Sequence, residues 1–330
     1  MTHAQAKELP TRFGFLLINH FTLIAMASAV EPLRMANRLC GREIYRWRTL
    51  SESGGPVVAS DGLSINVDAG IEDAGALNGL DTVIVCGGWN IEKNTTQAVV
   101  RWLRKIADTG IGFGATDTGS FLLAQAGLLD NHRCSVHWEN MGSLADLFPN
   151  VHVSRSVFTV DGTRYTCSGG TSPIDMMLYF IRRQCGAEIS AGVAEQFVYE
   201  RIRNASDLQK IPLRHVVGTQ SEKLVVAVEL MEANIKEPIS QEDIAAYTGI
   251  SRRQLQRLFQ RYLLCTPSRY YLWIRLARAR ELLQQTSMNL VDIATLTGFV
   301  SSSHFSKSYK EYYGHAPSAE RRQSPATAGA

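Results

Sequence analysis

Ile244–Ser268 reads IAAYTGISRRQLQRLFQRYLLCTPS, and Ile293–Ser318 reads IATLTGFVSSSHFSKSYKEYYGHAPS. These are two versions of one sequence. Ile244-Ala245, Gly249, Leu255, Phe259 and Pro267-Ser268 recur as Ile293-Ala294, Gly298, Phe305, Tyr309 and Pro317-Ser318. The offset is 49 residues at the first three and 50 from Leu255 onward, so one residue was gained inside a turn. Each copy predicts a helix, a tight turn and a second helix. In the first, Ser240 opens a short helix with Glu242 and Asp243 in its first turn, where the helix dipole favours acid. Gly249 suits a turn that needs positive φ. Ser251 then caps a second helix, whose Leu255, Leu258, Phe259 and Tyr262 fall at the three-to-four spacing of one buried face.

The positions between them are Arg252, Arg253, Gln254, Gln256, Arg257, Gln260 and Arg261. Arginine can pair two ways with guanine and glutamine with adenine, so this face has the chemistry to read bases in a major groove. A merely solvated amphipathic helix is the alternative, and the second copy weighs against it. That copy opens at Asn289 and offers Ser301, Ser302, Ser303, His304, Ser306 and Lys307, which are smaller and less basic. They suit phosphate as much as bases. Between the copies a long helix is predicted from Ser268 to Gln285, with Tyr271, Ile274, Leu276, Leu282 and Leu283 available for burial. Such a helix would hold two readers about one DNA turn (~34 Å) apart, in successive major grooves.

This skeleton resembles the AraC/XylS family of bacterial transcription regulators. It consists of Ile-Ala-x3-Gly in both copies, Arg275-Leu276-x2-Ala279-x2-Leu282-Leu283, Gly298-Phe299, His304-Phe305-Ser306 and Gly314-x2-Pro317. The match covers roughly residues 222 to 320. It implies a monomeric DNA-binding unit with two recognition helices, acting as an activator that contacts RNA polymerase. One departure is Leu264 where the second copy has Gly314, so the two loops are expected to close differently.

At 330 residues two domains are expected, each with its own core. The net charge of +3 is uneven: residues 221 to 322 carry 14 Lys+Arg against 10 Asp+Glu, and the rest 20 against 21. From Arg252 to Arg280 there are eight arginines and no acid, a local patch of the kind that attracts phosphate backbones. The six cysteines (Cys40, Cys86, Cys134, Cys167, Cys185, Cys265) are scattered without metal-ligand spacing and read as buried thiols in a reducing compartment. The apolar stretch Phe13 to Val30 is interrupted by Asn19-His20 and runs into Glu31-Pro32, unlike a signal segment. No segment reaches the ~20 apolar residues needed to span a bilayer. The expectation is a cytoplasmic protein with no membrane association, no cofactor and no metal.

In the first 200 residues short apolar runs alternate with helical patterns. Phe13–Ile18, Thr82–Cys86 and Gly110–Thr116 read as strands. Leu23 to Leu39, Thr95–Asp108, Ser120–Ala126 and Glu188 to Arg203 read as helices. This argues for an α/β doubly wound parallel sheet covered on both faces, followed by an all-α domain with two helix-turn-helix motifs. Ligands in such sheets sit beyond the carboxyl ends of the strands, where Trp89 and Asp117 both fall. The turn at Asp117 looks like a nucleophile elbow holding the wrong residue.

The string Ala115 to Asp130, with Ser135-Val136-His137-Trp138 after it, is similar to the PfpI-like, glutamine-amidotransferase-like superfamily over about residues 12 to 185. In its enzymes a cysteine stands at the position of Asp117 and an acid supports it early in the first helix, where this chain has Ser28. A carboxylate is a poor substitute for a thiolate, so no enzymatic activity is expected. His137 then reads either as a pocket residue or as a structural histidine.

A PfpI-like domain joined to an AraC-type reader defines the GlxA-type branch of regulators, which implies that the old active-site pocket senses a small metabolite. Within it, Ala29 to Arg38, Gly41 to Trp47, Phe197 to Arg203 and Asp207 to Gly218 look like regulators of glycine betaine and carnitine catabolism. A quaternary ammonium is held by aromatic faces and a nearby negative charge, for which Trp89, Trp138, Asp117, Glu139 and Glu31 are candidates. Each has another reading: the tryptophans as core, Asp117 as a helix cap, Glu31 as a partner of Arg34 or Arg38.

The sequence thus predicts a ligand-sensing and dimerisation domain over 12–203, a linker over 204–221, a DNA-binding domain over 222–320 and an unordered tail over 321–330. Residues 1 to 11 are likewise expected to be unordered. The expected partners are promoter DNA, RNA polymerase, a small-molecule inducer and a second copy. Three alternatives are kept: a regulator sensing a basic amino acid or other nitrogen metabolite, a cysteine hydrolase fused to a DNA reader, and constitutive DNA binding with a first domain that only dimerises.

Overall fold

The structure, a computed structural model, describes residues 11–209, 222–286 and 288–323. Contacts divide the chain into two compact units, Met1–Gln209 and Lys210–Ala330.

The first unit is built on a seven-stranded sheet: β1 (Thr11–Leu17), β2 (Tyr45–Ser51), β5 (Ala69–Gly70), β6 (Thr82–Cys86), β7 (Gly112–Thr116), β10 (Phe158–Asp161) and β11 (Arg164–Cys167). Their order is β10-β11-β7-β6-β1-β2-β5, with every pair parallel except β10 against β11. The short strands β3 (Val57–Val58) and β4 (Ser64–Ile65) form a separate ribbon, and β8 (Arg133–Ser135) pairs with β9 (His152–Ser154). All five residues of β6 and of β7 are buried, the pattern of strands covered on both faces.

One face packs Phe13, Phe15, Leu17 and Ile84 against α1 (Leu23–Cys40), α6 (Ser172–Cys185) and α7 (Ala187–Gln196). The intervening Leu16, Val83 and Val85 are buried too, which requires a second layer. On that side α4 (Ser120–Gln125) packs on β6 and β7 and meets α3 (Gln97–Ala107). Before α3 comes the single turn α2 (Ile91–Asn94), and after α4 the short α5 (Met141–Leu147).

Register fixes where a site can form. Leu17 pairs with Cys86, Cys86 with Thr116 and Thr116 with Cys167, so four strands end at one level. The segments leaving them, after Leu17, Cys86, Thr116 and Cys167, therefore meet along one edge, as expected of a doubly wound sheet.

Several expectations need correction. The helix starting near Glu188 ends at Gln196, and Val198 takes φ +52, so the chain to Arg203 is irregular. Residues 204–209 belong to the first unit rather than to a linker. Residues 210–221, and with them most of the expected linker and of the string Asp207–Gly218, lie outside the described residues, as do 1–10 and 324–330. Thr11 opens β1 and the last helix reaches Gln323, so Thr11 and residues 321–323 are ordered, contrary to expectation.

The second unit contains α8 (Glu222–Ala233), α9 (Gln241–Thr248), α10 (Arg252–Leu263), α11 (Pro267–Gln285), α12 (Leu290–Leu296), α13 (Ser302–Tyr313) and α14 (Pro317–Gln323). It has two cores, one per repeat. The long helix α11 serves both, giving Tyr270, Tyr271 and Ile274 to the first and Leu276, Ala279 and Leu283 to the second. The turns are as the repeat predicts: Gly249 has φ +63 and Gly298 has φ +73. Leu264 takes φ +50 where Gly314 takes φ +80, so the two loops close the same way after all. The leucine adopts a left-handed conformation that costs an L-residue roughly 1–2 kcal/mol.

Candidate functional site

Asp117 is the first residue after β7, in a 3-10 turn (Asp117–Gly119) that leads into α4. Its φ of +57 is the strained elbow expected there. The turn sits directly on its neighbours. A Cβ at Gly87 would lie 2.2 Å from the Gly119 nitrogen, and one at Gly169 would lie 2.9 Å from the Asp117 side chain. Thr118 Oγ1 donates to the Gly88 carbonyl at 2.7 Å. Thr22 Oγ1 donates to Asp117 Oδ2 at 2.7 Å.

Burial pushes the Asp117 carboxyl above the usual carboxylate range, and the Thr22 hydrogen bond and His137 oppose that rise without cancelling it. Ser28 is buried in α1 and supplies no carboxylate. Cys167, paired in register with Thr116, has its thiol pushed up to about 12 by burial, as does Cys86. Thiols so far above neutrality supply no nucleophile, which removes support from the hydrolase alternative.

Above the elbow lies an open cavity of about 490 Å³. Trp89 and Phe121 give it apolar faces, Asp117, Glu92 and Glu139 give it negative charge, and Lys93 and His137 complete the titratable lining. Trp89 is 68% exposed, its ring edge-on to His20 at 6.3 Å, so it is no core aromatic. Glu139 lies 3.6 Å from His137 Nδ1.

Two sequence candidates are outside this lining. Glu31 is taken by Arg34, whose Nε and Nη2 donate to Glu31 Oε2 at 2.8 and 2.7 Å. Trp138 packs on the His137 ring at 5.2 Å. Thr22, Glu92 and Lys93 were missed because only the shared level of the strand ends brings them to Asp117, and Phe121 was missed although it stands four residues after Asp117 on the following helix.

The segment leaving this unit is clasped beside the cavity. Asp175, buried near the start of α6, accepts from the Arg203 backbone nitrogen at 2.6 Å and from Arg203 Nε at 2.8 Å. Arg203 Nη2 also donates to Thr171 Oγ1, two residues after Gly169, which abuts Asp117. Gln209 Nε2 donates to the carbonyls of Val136 and Ser156 at 3.0 and 3.2 Å. Val136 precedes His137. The outgoing chain is thus tied to the loop that carries His137 and to the loop whose Gly169 lies against Asp117.

In the second unit α10 presents Arg252, Arg253, Gln254, Gln256, Arg257 and Arg261 to solvent, with Leu255, Phe259 and Leu263 beneath. Not all are free. Gln254 Oε1 accepts from the Ser251 backbone nitrogen at 2.9 Å, closing a capping box. Arg252 pairs with Glu242 at 2.7 Å, and Arg261 lies over the Tyr262 ring at 5.5 Å. Arg253, Gln256 and Arg257 are exposed with no hydrogen bond or ion pair among the described residues.

On α13, Ser301 is the cap, its Oγ accepting from the His304 backbone nitrogen at 3.2 Å. Ser303, His304 and Lys307 are exposed and Ser302 half-buried; Lys307 stands 4.0 Å from Glu311. Gln254 and Ser301 are therefore helix-capping residues first. The unpartnered Arg257 gives a sharper expectation. Arg257→Ala costs about 1–3 kcal/mol on a selected duplex and blurs preference at one base. Competition with random duplex checks it, since an equal loss on random DNA marks a phosphate contact instead.

Against known proteins, a DJ-1/PfpI family profile matches residues 16–183 and a helix-turn-helix domain profile matches residues 244–323. The chain is similar to the HTH-type transcriptional regulator GbdR of Pseudomonas aeruginosa, 54% identical over 316 residues covering 96% of this chain and 85% of that one. It is similar to the HTH-type transcriptional regulator CdhR of the same organism, 40% identical over 318 residues covering 96% and 94%. Among solved structures, that of an AraC family transcriptional regulator from Pseudomonas putida matches with a TM-score of 0.53 and 30% identity, covering 57% of this chain and 100% of that one.

Proposed function

The chain belongs to the HTH-type transcriptional regulators that join a DJ-1/PfpI domain to an AraC-type helix-turn-helix domain, and from that premise we propose what it senses. It is a DNA-binding regulator of transcription and not an enzyme. In our reading the first unit responds to a small quaternary amine such as glycine betaine or carnitine, and the second activates promoters through RNA polymerase as part of a homodimer.

The observation that carries the ligand class is the lining of the 490 Å³ cavity, where an exposed indole accompanies three carboxylates. A quaternary ammonium has no hydrogen to donate. An aromatic face with a nearby anion is what can hold it. Lys93 supplies counter-charge, and the His137 ring a hydrogen-bonding nitrogen, for the carboxylate that betaine and carnitine also carry.

Ligand shifts the equilibrium between conformations only by its differential affinity for them. The clasp of Arg203 and Gln209 against the loops of Thr171 and Val136 gives that difference a route to the outgoing chain.

A thermal-shift panel on the full chain tests the reading, with glycine betaine, dimethylglycine, carnitine, choline, arginine and lysine. A ligand present at a hundred times its Kd stabilises the native state by about 2.7 kcal/mol and must raise the melting point. A response to a quaternary amine supports the reading. A response to arginine or lysine alone replaces it with a basic amino-acid sensor, and no response from any of the six overturns the assignment.

A further inference from the structure

Comparison of the two helix-turn-helix modules isolates the residue gained between them. The first passes from Gly249 through Ile250 to its cap Ser251, and the second from Gly298 through Phe299 and Val300 to its cap Ser301. Val300 is the extra residue. In the first module Ile250 precedes the cap and packs, half-buried, into the core that holds Leu255, the arrangement of a hydrophobic staple. In the second, Phe299 takes the inward place, buried with its ring 5.2 Å from Phe305.

That leaves Val300 without a packing role. It is 96% exposed, more than any other large apolar side chain among the described residues. A valine so placed gives up the stabilisation that burial would bring, and the fold gains nothing visible in return.

Its position has a use outside the fold. Val300 stands immediately before the cap of α13, the end that approaches base edges when a recognition helix enters a major groove. Ser301 and Ser303 beside it are small and uncharged, and the nearest exposed cation on that helix is Lys307. With Ser301 taken by its cap bond and Ser302 half-buried, Ser303 and His304 carry the hydrogen bonding at that end, and Val300 adds an apolar contact beside them. The apolar feature of a major-groove edge is the thymine C5 methyl.

We propose that Val300 is a specificity residue of the second reader, packing on the methyl group of one thymine in its half-site. This rests on the helix-turn-helix assignment and adds a base preference to it.

The experiment begins with duplexes selected by the full chain from a random pool. Each thymine of the second half-site is then replaced in turn by deoxyuracil, which keeps the base pair and removes only the methyl. Affinity is measured for the natural chain and for Val300→Ser. One replacement is expected to weaken the natural chain about fourfold, the equivalent of one buried methyl-sized group. The same replacement leaves Val300→Ser unaffected, and the variant melts at the natural temperature because the side chain touches no core. If no uracil effect depends on Val300, or if Val300→Ser weakens selected and random duplexes alike, the assignment is overturned. A pool that yields no selected duplex at all would instead challenge the DNA-reading assignment itself, so the two failures are distinguishable.

Discussion

Glu320→Ala is expected to destabilise the second unit by about 3–5 kcal/mol, a large share of the 5–15 kcal/mol that holds a typical domain together. Glu320 lies buried on α14 and ties three groups. Arg280 Nε of α11 donates to Oε1 at 2.9 Å, Tyr309 Oη of α13 donates to Oε2 at 2.9 Å, and His315 Nε2 is 3.4 Å from Oε2. The Arg280 guanidinium also lies over the Tyr313 ring at 4.7 Å. Truncation removes the carboxylate on which a guanidinium and a phenol converge, where water does not reach to replace it.

The penalty comes from a buried charge that loses its carboxylate rather than from a large net attraction. Replacing both partners, Arg280→Met with Glu320→Leu, should therefore recover most of the loss. Urea unfolding of the full chain checks both variants. Because Tyr309 belongs to the core under the second helix-turn-helix, the single variant should also bind a two-site duplex only as well as the first reader alone. A single-variant shift below about 1 kcal/mol would mean that the pair is solvated, as surface pairs are.

This ion pair was invisible in the sequence, whereas the architecture around it was not, and the difference has a physical cause. The helix-turn-helix repeat is written in local terms: a cap, an apolar stripe and a turn glycine, each within a few residues of the next. The four helices of the repeat stand where those signals place them. The capping box Ser251-x-x-Gln254 was legible in the same way, yet Gln254 was read as a base reader because its amide chemistry suits both roles.

In the first unit β6 and β7 are continuous apolar runs and declared themselves. β2 did not, because Arg46, Trp47 and Arg48 give it the character of a near-edge strand, and only the two-residue β5 lies beyond it. The elbow at Asp117 was legible from the strand-to-helix change. Thr22 and Lys93 were not, since what brings them to Asp117 is the register of β1, β6 and β7. Glu31 illustrates the opposite case: an arginine one helical turn away holds it, the pairing with Arg34 that its spacing also offers.

Asp117→Asn is expected to lower affinity for the responding quaternary amine by about 30- to 150-fold, or about 2–3 kcal/mol. That is somewhat less than the ~4 kcal/mol of two unit charges 4 Å apart at an effective dielectric of 20. The amide can still accept from Thr22, so the elbow keeps its hydrogen bond and basal DNA binding should be unchanged. The pH dependence separates charge from shape. The Asp117 carboxyl titrates above its unfolded value because burial disfavours the anion. Folding therefore favours the protonated form, and the stability Asp117 contributes is fully present below the unfolded value and lost as pH rises through the folded one.

A cation needs the anion, so binding must expel that proton. Affinity should fall toward tenfold per pH unit below the folded value, where binding releases close to one proton, and level off above it, where it releases none. Choline carries no group that titrates in this range and, if it responds, is the cleanest probe; calorimetry across pH 4 to 8 reads both effects. The asparagine variant should bind weakly and without that slope. If its dose curve and pH curve match those of the natural chain, the cation is not held by Asp117, and the strained elbow would have to be explained by packing alone.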